Sequence, residues 1–347
     1  TIVVEKSTLP VRTAEVIKSI LEAAKKDSED SFLKTFDVLS NPEFLAEGTA
    51  INDLLYPDRV LIGGDNFSAI DALSSIYSRW VIKEKILHTN IWSSELAKLT
   101  ANAFLAQRIS SINAIGALCE ATGADVREVS RAIGSDSRIG SKFLDAGPGF
   151  GGSCFKKDIL NLVYLCEYFG LDEVARFWES VVNLNNWHQT RISKLITKKL
   201  FGTISGKKII ILGFAFKGNT NDTRESAAIQ ICKDLINEGA NLSIHDPKVT
   251  KYQIINDLGI KPIDQIKEEN NLNEKGSWEF ITDINESFFG ADAIVILTEW
   301  EEYKNINWDL AEDRMRKPSW VFDSRSIIDP NSIKQNNFQF WRVGDGS

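Results

Sequence analysis

Short apolar, β-branched runs alternate with helical stretches at both ends of this chain, and a long helical middle separates the two blocks. In the first block "TIVVEK", "FDVLSN", "RVLIGGD" and "KILHTN" read as short buried strands, and "AEVIKSILEAAKK" between the first two reads as a helix. Strands alternating with helices imply parallel sheets wrapped by helices, because a parallel pair needs a crossover connection. The second block runs from "KKIIILGFAFKG" through "ANLSIHDP" and "DAIVILT" and ends near "WVFDSR". Between the blocks, "SSELAKLTANAFLAQRISSINAIGALCEA" predicts one helix from Ser93 to about Ala121, and further helices follow near 125–134, 156–170 and 172–200. Small and apolar residues on several faces of the long helix suit burial between domains or subunits. The polar stretch "KEENNLNEKGSWEF" reads as a solvated insertion, and no repeat of 20–50 residues is visible. The fold class is therefore α/β: two Rossmann-like parallel-sheet domains joined by a long central helix. The division is residues 1–92, a helical region 93–200 that would dimerise, and 201–347.

Composition narrows the function. The 347 residues are 43% hydrophobic and 25% charged, enough for two or three domains with real cores. A net charge of −8 and a pI near 5.2 argue against nucleic-acid or membrane-surface partners, which need a basic face. No run of about 18 apolar residues occurs. Cys119, Cys154, Cys166 and Cys232 form no C-x-x-C pair and have no histidine at metal-ligand spacing, so they read as reduced thiols of a cytoplasmic protein, with no metal.

The stretch "GFGGSCFKKD", residues 149–158, sets three glycines and Cys154 directly ahead of a helix, with Asp158 one turn further on. The thiolate is the reactive form of cysteine, and the positive end of a helix favours negative charge. The glycines would let backbone approach a ligand closely. A plain glycine-rich turn into a helix is the bland alternative. In "SNPEFLAEGTAI" Glu43 and Glu47 lie beyond the C-terminal end of a strand, where open sheets take ligands, although acids at a helix start would look the same. Lys98 and Asn102 share a face of the long helix, and a cation facing inward there needs a partner or a task, with Glu95 one candidate partner. The turn "GFAFKGNTNDTRES" resembles a phosphate cradle made cationic by Lys217 and Arg224, yet it lacks both the third glycine of the dinucleotide fingerprint and the lysine of a P-loop. His245 reads as decoration on a strand tip.

Taken together and in order, "EKSTLPVR", "NPEFLAEGTAI", "WSSELAKLTANAFLAQRISSIN", "GFGGSCFKKD" and "GFAFKGNTNDTRES" resemble the UDP-glucose 6-dehydrogenases, most of all the animal type, within the UDP-glucose/GDP-mannose dehydrogenase family. That resemblance implies oxidation of UDP-glucose to UDP-glucuronate by two NAD⁺ through a thiohemiacetal and a thioester on Cys154. It implies Lys98 as oxyanion stabiliser, Asp158 acting with Thr8 on a water chain, Glu43 as base in thioester hydrolysis and Asn102 holding the sugar. Glu43, Phe44, Leu45, Ala46, Glu47, Lys98, Asn102, Phe143, Gly149, Phe150, Gly151, Phe216, Lys217 and Arg325 would surround the substrate. Arg138 would reach it from the partner of a homodimer or a higher oligomer. Ser7, Thr8, Glu47, Cys154, Lys157 and Arg224 would touch NAD. Two departures accompany the match. Asp145 stands where the family carries a lysine, and the family's first βαβ units, with their glycine fingerprint, have no counterpart before Thr1. From the second departure the chain is expected to bind UDP-glucose but NAD⁺ only poorly. The alternatives are a redox-incompetent nucleotide-sugar-binding, dimerising module and a dehydrogenase of a related UDP- or GDP-sugar.

Overall fold

The computed structural model describes residues 1–8, 10–26, 35–265 and 276–346. Two compact units emerge, one comprising residues 1–104 and 158–171, the other residues 105–157 and 172–347.

The first unit is built on a four-stranded sheet in the order β1 (Ile2–Glu5), β2 (Asp37–Ser40), β3 (Val60–Gly63), β4 (Ile86–Thr89). Helices α1 (Thr13–Lys26), α2 (Ala50–Leu55) and α3 (Phe67–Tyr77) connect the strands. All four expected strands are present. The sheet is not wholly parallel, however: β1–β2 and β3–β4 are parallel, whereas β2 meets β3 antiparallel at the pair Ser40 and Gly63. The reason lies in the connection. Helix α2 is six residues long and buries none of them, so it does not pack back over the sheet as a crossover helix must. The core here is Leu39, Val60, Ile62, Ala69, Ile70, Tyr77 and Val81.

Helix α4 (Ile91–Thr122) is the expected long helix, begun two residues earlier, and its residues are divided between the units at Phe104. Then come α5 (Val126–Gly134), capped by the Asp125 carboxylate, α6 (Phe155–Tyr168) and α7 (Asp172–Lys199).

The second unit's sheet has six strands, all parallel, in the order β10-β9-β8-β5-β6-β7. These are β5 (Lys208–Leu212), β6 (Asn241–His245), β7 (Ser277–Phe280), β8 (Ala293–Ile296), β9 (Trp320–Asp323) and β10 (Gln339–Arg342). Helices α8 (Ala227–Asn237), α9 (Lys251–Leu258), α10 (Ile284–Ser287), α11 (Trp308–Arg314) and α12 (Pro330–Gln335) intervene. Its central strands carry continuous apolar runs because both faces are covered. Two sequence expectations change. The second block continues past "WVFDSR" into α12 and β10. The supposed polar insertion ends in a strand, β7, whose Trp278 is buried and donates from its indole to the Ile260 carbonyl at 2.9 Å; residues 267–275 of that stretch lie outside the described residues. Charge alone obscured β7, since its neighbours dominate the composition. Among the described residues no helix is long and apolar enough to cross a membrane.

Candidate functional site

In the first unit, several positions expected to contact ligands lie in loops at the C-terminal ends of β1 and β2, the end where open α/β sheets bind. Ser7 and Thr8 lie in the loop between β1 and α1, and residues 43–47 lie in the loop after β2. Glu43 and Glu47 therefore sit on a loop, not in a helix turn; the helix begins only at Ala50. The Phe44 ring receives the Arg59 guanidinium at 3.8 Å and the Lys98 ammonium at 5.4 Å. Arg59 had no distinguishing signal in the sequence. Leu45 is half-buried and Ala46 exposed on the same loop, whose shape is held by Asp53 accepting from the Ala46 amide at 2.9 Å and the Thr49 hydroxyl at 2.9 Å.

Lys98 and Asn102 are both buried on α4, as their shared helical face implied. The Asn102 amide donates to Asp158 Oδ2 at 2.6 Å, and Asp158 is 1% exposed in the first turn of α6. A carboxylate so buried has a directed partner, as burial requires. Glu95, weighed as a partner for Lys98, instead spends both oxygens on α1: Oε2 accepts from the Arg12 amide at 2.7 Å and Oε1 from the Ala14 amide at 2.9 Å. It serves as a cap supplied from another helix.

Glu5 closes β1, and its Oε1 is buried with no hydrogen-bond partner. Burial, with the Glu95 charge adding to it, pushes its carboxyl up to about 7. Ser7 and Thr8 follow Glu5 in the loop at the C-terminal end of β1, the end of an open α/β sheet that takes a nucleotide, so these residues fit NAD.

In the second unit Cys154 stands immediately before α6 with an exposed side chain, its Sγ 3.5 Å from the Ser153 hydroxyl. Cys119, Cys166 and Cys232 are buried, and burial pushes each of those thiols up. The approach loop is tightly fastened. Asn113 accepts from the Gly147 amide at 2.9 Å, and the buried His188 ring holds the Gly147 carbonyl at 2.8 Å. Asn185 brackets Phe150 through its amide (2.9 Å) and carbonyl (3.1 Å). The Phe150 ring is buried edge-on against Phe155.

The glycines do allow close approach, but the neighbour is protein. A Cβ on Gly151 would lie 2.5 Å from the Glu225 carbonyl oxygen, and Gly149 and Gly152 have φ of +125° and +85°. The expected cradle after β5 is also occupied from within: Asp246 Oδ2 accepts from the Phe214 amide (2.7 Å), the Ala215 amide (3.0 Å) and the Trp300 indole (3.1 Å). Asp246 takes the donors a phosphate would have used, and its role was invisible without the pairing of β5 and β6. Arg224 is paired with Asp222 at 2.6 Å, so it adds less positive charge than its type implied. Arg325 donates to the Leu297 and Phe216 carbonyls, both at 2.8 Å, and pairs with Glu299 at 3.1 Å. The Lys217 ammonium lies 5.5 Å from the Phe216 ring centroid, and Lys157 is exposed on α6. His245 is buried, not decorative; its Nδ1 lies 3.0 Å from the Tyr303 hydroxyl, and burial pushes it below the usual histidine range.

Arg138 is exposed and paired with Asp136, and Phe143 (φ +62°) and Asp145 are exposed on the same loop. The loop is shaped by Arg108, which donates to the carbonyls of Lys142, Ile139 and Gly140 at 3.0, 3.0 and 2.8 Å.

Three family models match the chain: the NAD binding domain of the UDP-glucose/GDP-mannose dehydrogenase family over residues 1–81, its central domain over 92–187 and its UDP binding domain over 210–330. The chain is 52% identical to UDP-glucose 6-dehydrogenase of Drosophila melanogaster, covering 99% of this chain and 71% of that protein. It is 53% identical to the Gallus gallus UDP-glucose 6-dehydrogenase, covering 99% and 69%. Among solved structures, a UDP-glucose dehydrogenase from Pyrobaculum islandicum superposes with a TM-score of 0.81 at 29% identity, covering 100% of this chain and 71% of that one.

Proposed function

Because the chain belongs to the UDP-glucose/GDP-mannose dehydrogenase family, we propose that Cys154 is the nucleophile of its reaction. The reaction itself is the oxidation of UDP-glucose to UDP-glucuronate by an NAD-dependent enzyme. The observation that carries the proposal is exposure: of the four cysteines, Cys154 alone presents its thiol to solvent, and it does so at a helix start.

Two oxidations at one carbon need a way to hold the aldehyde between them, and a sulfur nucleophile supplies it. The Cys154 thiolate adds to the C6 aldehyde, forming a C–S bond as the C=O π pair moves to oxygen, and loss of hydride from C6 of the resulting oxyanion gives a thioester. Ser7, Thr8, Glu47, Cys154, Lys157 and Arg224 would hold NAD, which would supply the hydride acceptor for each oxidation. Lys98 stabilises the negative oxygen that develops at C6. Asn102, fixed by Asp158, holds the sugar, and Asp158 works with Thr8 on the water chain. In hydrolysis a water oxygen bonds to C6, the C–S electron pair returns to sulfur, and Glu43 accepts the water's proton. Phe44 to Glu47, Phe143, Gly149 to Gly151, Phe216, Lys217 and Arg325 form the substrate's surroundings.

The site also implies a homodimer. Exposed Phe104, Ile115 and Leu118 on α4 support that reading, as does the outward position of Arg138. Sedimentation should give twice the chain mass; a monomer at enzyme working concentration would overturn it. Four unpaired thiols support a cytoplasmic location.

Quenching the reaction and weighing the Cys154 peptide tests the nucleophile. Cys154→Ala should form no adduct and lose turnover by on the order of 10⁴-fold. Cys154→Ser should stall as a slowly hydrolysed ester. UDP-glucuronate produced at a normal rate by the alanine variant would remove Cys154 from the mechanism.

A further inference from the structure

Lys6 was not singled out by its sequence context, yet its ammonium is anchored near the loops of the first unit's sheet. Three acceptors face it: Tyr77 Oη at 2.9 Å, Asn41 Oδ1 at 3.1 Å and Glu43 Oε1 at 3.5 Å. A lysine ammonium has three N–H donors, so the set is complete.

Two of the acceptors are themselves fixed. Asn41 is 2% exposed and donates its amide to the Leu61 carbonyl at 2.7 Å, which settles which way its oxygen points. The Tyr77 hydroxyl donates to that same Asn41 oxygen at 2.7 Å, leaving its own oxygen free to accept from Lys6. Asn41 directly follows β2, Leu61 belongs to β3, Tyr77 ends α3 and Lys6 directly follows β1. Four elements thus converge on one ammonium, and its third partner, Glu43 at ion-pair distance, is the one of the three that is exposed and on a loop. An ordinary surface ion pair is weak partly because two flexible side chains must be immobilised together. Here the lysine ammonium already has two fixed partners, so the constraint acts on Glu43.

We propose that Lys6 is the positioning residue of Glu43: anchored by Asn41 and Tyr77, it holds the Glu43 carboxylate in the orientation from which it takes the proton of the hydrolytic water. This rests on the assignment of Glu43 as the base of thioester hydrolysis. The step balances as given above: water's oxygen bonds to C6, its proton passes to Glu43, and the sulfur leaves as thiolate. Lys6 exchanges no proton and makes no bond in it. Without the clamp, Glu43 samples other rotamers and hydrolysis slows, while formation of the thioester, which does not use Glu43, continues.

The test follows the Cys154 adduct in the full chain with NAD⁺ and UDP-glucose, quenched at intervals and read by mass spectrometry. Lys6→Met should still form the adduct but hydrolyse it about ten- to a hundredfold more slowly, the scale of a misplaced catalytic group. Tyr77→Phe, which deletes one anchor and keeps the ring, should slow hydrolysis in the same direction by less, and it stands in if Lys6→Met does not fold. A purely structural lysine would reduce adduct formation and hydrolysis together. In a Glu43→Gln background the Lys6→Met change should add less than about twofold, because residues acting as one unit are not additive. Full additivity there, or no accumulation of adduct in either Lys6→Met or Tyr77→Phe, would overturn the role of Lys6 while leaving Glu43 in place. Normal hydrolysis by Glu43→Gln alone would instead overturn the assignment of the base, and the clamp with it.

Discussion

The two sheets of this protein handle burial in opposite ways. In the six-stranded sheet Ile209 to Leu212 and Ala293 to Ile296 are all inaccessible to solvent, and Phe322 and Trp278 fill the space on either side. In the four-stranded sheet β1 is fully buried only at Glu5, and β4 leaves Leu87 and His88 exposed. Beside its apolar core the first unit buries Glu5, Asn41, Glu95, Lys98, Asn102 and Asp158. The second unit buries polar groups as well, among them His188, Asp246 and Asp323, so the contrast lies in the strands: the six-stranded sheet has a closed apolar centre, whereas the edge strands β1 and β4 of the four-stranded sheet stay partly open. The residues proposed for the chemistry come from both units, whereas the larger apolar core belongs to the six-stranded sheet.

Core truncation should expose that contrast most strongly. Phe322→Ala, at a fully buried position in β9, should cost about 3–5 kcal/mol, read as a lower denaturation midpoint. Comparable truncation costs at the partly exposed β4 would erase the distinction between the sheets.

Acid should separate the regions next, and with opposite signs. His188, buried in the second unit, is held down to about 4 from 6.5 by burial, with the Arg191 charge adding to it. As pH falls through 6.5 the unfolded chain takes up a proton that the folded chain refuses until about 4, so stability is full above 6.5 and is lost between 6.5 and 4. The loss approaches about 3 kcal/mol. Glu5 runs the other way: its folded form keeps a proton up to about 7 where the unfolded chain gives it up near 4.5. Its contribution is full below 4.5 and disappears as pH rises through 7. Native-state hydrogen exchange at pH 7 and 5 should therefore show α7 weakening and the β1 region holding or strengthening. His188→Gln should flatten the first response, and Glu5→Gln the second; parallel responses in both regions would break the comparison.

Glu120 tests how the second unit fastens its C-terminal end. Its carboxylate accepts from Arg191 Nη1 and Nη2 at 3.0 and 2.8 Å, and from the Gly344 amide at 2.8 Å. Glu120→Gln sets an N–H against those donors and should cost about 1–3 kcal/mol. The smallest effect belongs to Leu87→Ala in β4, 45% exposed, which should change stability by no more than about 0.5 kcal/mol.

Periodicity in the chain was sufficient for the α/β class, for eight of the strands and for the long helix, because those depend on runs of residues whose burial is set locally. It also marked Cys154, since glycines, a thiol and a helix start are neighbours along the backbone. The strand β7 was hidden by its charged surroundings, and β10 lay beyond the apparent end of the second block. Antiparallel pairing of β2 with β3 accompanies a connecting helix, α2, too short and too exposed to pack across the sheet. Which donors were already taken also needed the fold. Asp246 occupies the turn that read as a phosphate cradle, Glu95 caps α1 instead of answering Lys98, and Lys6 gains its role from Asn41 and Tyr77, 35 and 71 residues away. Hydrogen bonds between such distant residues depend on how strands are ordered in a sheet, and no local pattern encodes that order.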